Sequence, residues 1–133
     1  MRIGLALMGA VLLCSEPALA ARIYNFIAVP IHVMGITERI TIAPGQRSDS
    51  LSWSTSNSVG VFVTPRMLSV CAFFFGPHAE ITGGHYMIVS SQGTNVSCVL
   101  CDSDHHVMHR AGERAPKEVW DELLKNPSRT TGC

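Results

Sequence analysis

The stretch that decides the fold is Ala21-Arg22-Ile23-Tyr24-Asn25-Phe26-Ile27-Ala28-Val29-Pro30. Successive side chains of a strand point to opposite faces. Ile23, Asn25, Ile27 and Val29 therefore share one face, and Tyr24, Phe26 and Ala28 share the other. Pro30 has no N–H to give a ladder, so it marks a bend or an edge. The same period of two returns along the chain. Ile40 and Ile42 alternate with Arg39 and Thr41, Leu51 and Trp53 stand opposite Ser50 and Ser52, and Val59, Val61 and Val63 line up before Pro65. Leu68 to Phe75 (LSVCAFFF) is apolar on both faces, the composition of a central strand covered on both sides. Two further strands are expected at His85–Ser90 and Val96–Cys101, separated by Gln92-Gly93.

Between these runs lie turn residues: Pro44-Gly45 in the order a type II turn requires, the polar stretch 54–58, Gly76-Pro77 and Gly83-Gly84. Short strands with frequent turns predict an all-β chain, a small antiparallel β-sandwich or barrel-like fold. No helical stretches alternate with the strands, which argues against a parallel α/β sheet. One short C-terminal helix is expected near 116–125. Pro116 suits its first turn, Val119, Trp120, Leu123 and Leu124 form its apolar stripe, and Asn126-Pro127 stops it. The tail beyond is expected to be loose unless a disulfide holds Cys133.

The 133 residues carry ten Lys+Arg against ten Asp+Glu, with 15% charged and 47% hydrophobic. That balance excludes a disordered chain and the basic footprint of a nucleic-acid binder. The N-terminus reads as an export signal. Arg2 precedes an apolar run from Ile3 to Cys14, too short to span a bilayer, and Ala18-Leu19-Ala20 offers a small-x-small cleavage pattern. Leu13, directly before Cys14, does not fit a lipoprotein signal. The expected organisation is a signal peptide over 1–20 and a single domain over 21–133, exported to the periplasm or secreted from a bacterium, with no membrane anchor after cleavage. Roughly 110 residues make one domain.

Outside the cytosol thiols pair. The mature chain keeps Cys71, Cys98, Cys101 and Cys133, for which three pairings are open. Cys98 and Cys101 are an odd step apart on an expected strand, so they point to opposite faces and seek different partners, such as Cys71 and Cys133. A zinc site from Cys98, Cys101, His105 and His109 or His106 is the competing reading, but the spacing from Cys101 to His105 is tight for it.

Six histidines are present, three of them as His-x-Met: His32/Met34, His85/Met87 and His106/Met108. Residues two apart on a strand project from one face about 7 Å apart, so an imidazole and a thioether can converge on one ion. Soft thioethers with imidazoles suit copper. The third pair sits in Asp102-Ser103-Asp104-His105-His106-Val107-Met108-His109, which adds oxygen ligands and further imidazoles. The segment at Gly84-His85-Tyr86-Met87 resembles the G-x-H-x-M segment of periplasmic copper chaperones of the cupredoxin-like kind. The resemblance spans these few residues, and Met67 stands at a different spacing from that family's upstream methionine.

Enzyme signatures are missing: there is no nucleophile elbow, no H-E-x-x-H helix and no phosphate-cradling loop. The leading expectation is a small exported non-catalytic binding domain for an extracytoplasmic protein or small ligand, with Trp53–Ser58 as a contact loop. The alternative is a copper-handling protein using the His-x-Met pairs. A secreted toxin or inhibitor on the same stapled scaffold is a third reading.

Overall fold

The structure is a computed structural model that describes residues 20–35, 39–49, 51–52, 58–63, 67–74, 84–128 and 132–133. The export segment over 1–19 and residues 53–57 of the expected contact loop lie outside the described residues. The strands are β1 (Ala20–Asn25), β2 (Ile31–Met34), β3 (Ile40–Ile42), β4 (Leu51–Ser52), β5 (Ser58–Val63), β6 (Leu68–Phe74), β7 (His85–Gln92), β8 (Asn95–Cys101) and β9 (Val107–Arg114). They form a five-stranded sheet in the order β4-β1-β7-β8-β9 and a four-stranded sheet in the order β3-β2-β5-β6. This is the expected sandwich, and the sheets are not closed into a barrel. All strand pairs are antiparallel among the described residues except β1 with β7, which run parallel. A parallel pair needs a long crossover. Here the crossover holds all four strands of the second sheet, together with β4, which returns to pair with β1.

The alternation read in the opening stretch is the alternation observed. Ala21, Ile23, Asn25, Ile27 and Val29 are buried, whereas Arg22 and Phe26 are exposed. Ile23, Met87, Val96 and Leu100 of the larger sheet meet Ile31, Val33, Val61 and Val63 of the smaller one in a single apolar core. Between β1 and β2 the chain changes sheet, and Asn25 makes that crossing possible. Its Nδ2 donates to the carbonyls of Val29 and Ile42, each at 3.0 Å, and of Ala43 at 3.2 Å, while its Oδ1 accepts from the Ile27 N–H at 3.1 Å. Backbone groups that leave the ladder inside the protein thereby keep partners.

Two expectations about strands are corrected. LSVCAFFF does not form a central strand: β6 is an edge strand of the smaller sheet. Val61 pairs with Cys71 but Phe62 pairs with Ser69, so Val70 is the extra residue of a bulge. Val70 and Cys71 are consequently both buried although adjacent. The bulge and the neighbouring sheet account for the apolar composition. The second correction is β9, a strand whose residues carry no period-two pattern. Its burial runs mostly exposed along an edge, so no apolar face disciplines its composition.

At one end of the sandwich a 3₁₀ turn, Lys117–Val119, leads into a short helix α1, Trp120–Lys125. Leu123 is fully buried and Val119 nearly so, while Leu124 is exposed. The deep anchor is therefore Leu123. Trp120 lies half-buried over the rim, its Nε1 donating to the Ala115 carbonyl at 2.6 Å and its ring 4.3 Å from the Arg114 guanidinium.

The cysteines form two pairs at bonding distance. Cys71–Cys98 joins β6 of one sheet to β8 of the other, and Cys101–Cys133 ties the tail to the end of β8. Cys98 belongs to the core between the sheets and Cys101 to a second apolar cluster with Ile88 and Val99. The odd step separates them as expected. With all four sulfurs paired, the zinc reading loses its thiolates.

An aromatic groove on the outer face

Tyr24 and Phe26 of the opening stretch face away from the core, and the parallel register sets Arg22 opposite Tyr86 and Tyr24 opposite Ile88. Tyr24 and Phe26 lie with ring centroids 6.0 Å apart and planes 19° from parallel; Tyr24 and Tyr86 meet at 6.1 Å and 85°. The rings thus form a floor and a wall. An open groove of about 430 Å³ runs along them, lined by Tyr24, Phe26, Tyr86, Ile88, His105 and Cys133. Phe26 is 40% exposed, and with Tyr24 and Tyr86 beside it the ring belongs to an apolar patch rather than standing alone.

Three local features hold this groove. The first is the chain after β8. Asp102 Oδ1 accepts from the backbone N–H groups of Asp104 at 2.9 Å and His106 at 2.8 Å. His105 adopts a left-handed φ of 66°, and its Nδ1 hydrogen-bonds the Tyr86 hydroxyl. The second is the tail. The Ser128 hydroxyl accepts from the Ser91 N–H and donates to the Ser91 carbonyl at 3.1 Å. It takes the place of β1, whose pairing with β7 ends at Asn25–Val89. The third is the Cys101–Cys133 bond, which sets Cys133 at the groove wall.

Charge is distributed accordingly. The His106 N–H, then the Asp104 N–H and the nearby His106 and His85 side chains, hold the Asp102 carboxyl below its ordinary range despite some desolvation. Burial, followed by the Asp102 and Tyr24 groups, raises the Tyr86 phenol, so it stays protonated and able to donate at neutral pH.

The His-x-Met pairs lie on strands that are not neighbours, although the His85 and His106 side chains both act on Asp102. His32 and Met34 are on β2 of the smaller sheet, where His32 Nδ1 contacts Thr41 Oγ1 at 2.9 Å. His85 and Met87 are on β7, and Met87 is fully buried in the core. His106 is exposed just before β9, and Met108 packs partly buried against the core. β7 and β9 flank β8, and β2 is in the other sheet, so no two pairs occupy neighbouring strands. What does converge is Asp102, Asp104 and His106, whose ligand atoms all lie within 4.8 Å of one another. The groove went unread in the sequence, yet one signal was there: two large aromatics on the solvent side of a strand whose other side is core.

No helix among the described residues is long and apolar enough to cross a membrane. No protein-family model, no curated protein and no solved structure matches this chain.

Proposed function

We propose that this chain is an extracytoplasmic, non-catalytic binding domain that takes its ligand in the groove of Tyr24, Phe26 and Tyr86. The observation that carries the reading is the half-exposed ring set beside an open groove of about 430 Å³. That volume falls in the range of small-molecule sites, which are mostly apolar with few polar groups. A flat ring or compact aliphatic group would stack on Tyr24 and Phe26, with the Tyr86 hydroxyl and His105 imidazole to orient it. Paired cysteines agree with a non-reducing compartment.

The test is a two-dimensional NMR screen of the labelled protein against a library of ring-containing fragments. Shifts should cluster at Tyr24, Phe26, Tyr86 and His105. The Tyr24→Ala/Phe26→Ala variant should keep its melting temperature within a few degrees and lose at least about tenfold in affinity, the size of one good aromatic contact. Shifts that cluster elsewhere, or turnover of any fragment, would contradict the proposal.

Copper handling is the second reading, favoured by the convergence of Asp102, Asp104 and His106. Imidazole with two carboxylates suits Cu(II), the tightest-bound of the first-row divalent ions. One equivalent of Cu(II) should then bind more tightly than micromolar, and His106→Ala should abolish it. Weaker binding, or binding unchanged in His106→Ala, ends this reading.

A further inference from the structure

We infer that the Cys101–Cys133 bond is a reducible latch, a site of thiol–disulfide exchange with a dithiol, whose opening uncovers the outer face of the larger sheet. The two cysteine pairs differ sharply in access. Cys71 and Cys98 are 1% and 0% exposed between the sheets, and a thiolate reaches them only if the sheets part. Cys133 is exposed, whereas its partner Cys101 is wholly buried beneath it. Exchange needs a thiolate to approach one sulfur directly, and Cys133 is the exposed partner, at the groove wall.

The chemistry balances with a dithiol as reductant. One thiolate attacks Cys133 Sγ, a mixed disulfide forms, and the Sγ–Sγ bond to Cys101 breaks. Cys101 leaves as a thiolate and takes up a proton. The second thiol then displaces Cys133, which leaves protonated. Two electrons and two protons have passed to the pair, and the dithiol has become a disulfide. His105 lines the same groove as Cys133, and Tyr86 stands opposite Cys101 in the β7–β8 register.

The consequence is local. Ser128 remains bonded to Ser91 and Leu123 remains in the core, so the fold and α1 hold while Cys133 is released. Val99 and Cys101 are 0% exposed and Ile88 6%, although all three belong to the cluster on the outer face. Releasing Cys133 takes away the sulfur bonded to Cys101 and the groove wall beside Ile88. Ligand binding thereby becomes redox-dependent; that last consequence rests on the proposed function.

The folded protein is treated with graded dithiothreitol, trapped with iodoacetamide and analysed by mass spectrometry, with 8-anilinonaphthalene-1-sulfonate reporting exposed apolar surface. Cys101 and Cys133 should be alkylated at least about a hundredfold faster than Cys71 and Cys98, whose reduction requires global opening. Dye fluorescence should rise with the first step while the β-sheet circular dichroism stays unchanged. Cys133→Ser should show the raised fluorescence without reductant. Reduction of both pairs at one rate, or of Cys71–Cys98 first, would overturn the latch. So would dye fluorescence in Cys133→Ser equal to that of the oxidised protein. If reduction is selective but the oxidised protein takes no fragment in the groove, the latch stands and the proposed function falls.

Discussion

Asn25→Ala is expected to lower folding stability by about 3–5 kcal/mol, read from the denaturant midpoint at constant slope. The residue is 0% exposed and holds four backbone groups: the carbonyls of Val29, Ile42 and Ala43 and the N–H of Ile27. Truncation leaves those groups in a core without water, at about 1–3 kcal/mol for each that finds no new partner. Asn25→Asp is the sharper variant, because it places a carboxylate where Nδ2 now meets three carbonyls. Its pKa would be raised in the folded state, so its stability should be greatest at low pH and fall as pH rises through the native value. A loss under about 1 kcal/mol for Asn25→Ala would show that the crossing between sheets does not depend on this side chain.

The second large effect is expected from the staple between the sheets. Cys71→Ala/Cys98→Ala should cost about 2–5 kcal/mol, a large share of the 5–15 kcal/mol typical of a domain. Among the described residues β6 is an edge strand whose one partner in its own sheet is β5, and the bulge at Val70 interrupts even that ladder. The bond to Cys98 anchors it across the core. Thermal melts at fixed protein concentration read the loss, and a melting temperature shifted by less than about 3 °C would show that core packing alone secures β6. The Cys133→Ser change should be milder, since it frees a tail and leaves the core intact.

These two positions also show what a sequence of this kind reveals. Asn25 is legible as an inward residue from its place between Ile23 and Ile27, and the odd step from Cys98 to Cys101 is enough to separate their partners. Period-two patterning works where one face is buried against a core, as in β1 and β5. It fails in β9, Val-Met-His-Arg-Ala-Gly-Glu-Arg, an exposed edge strand whose residues answer to its neighbour's hydrogen bonds and not to a core. It misplaces β6 because a bulge buries consecutive residues and so mimics a strand covered on both sides. The His-x-Met pairs illustrate a different limit of spacing. Spacing predicts that two side chains share a face, but register and strand order decide whether separate pairs meet, and those are set by long-range pairing. The groove is likewise a product of topology. Tyr24 and Tyr86 are far apart in sequence and become neighbours only because β1 and β7 pair in parallel, and Cys133 joins them only through its bond to Cys101.

Which sulfur faces which side of β8 decides both the groove wall and the staple between the sheets. Non-reducing digestion of the oxidised protein, with cleavage between Cys98 and Cys101 and mass spectrometry of the linked peptides, reads that directly. The structure predicts two cross-linked species, Cys71 with Cys98 and Cys101 with Cys133. Cys71 linked to Cys101, or Cys98 linked to Cys133, would put the groove wall and the core staple on the wrong faces and contradict the account.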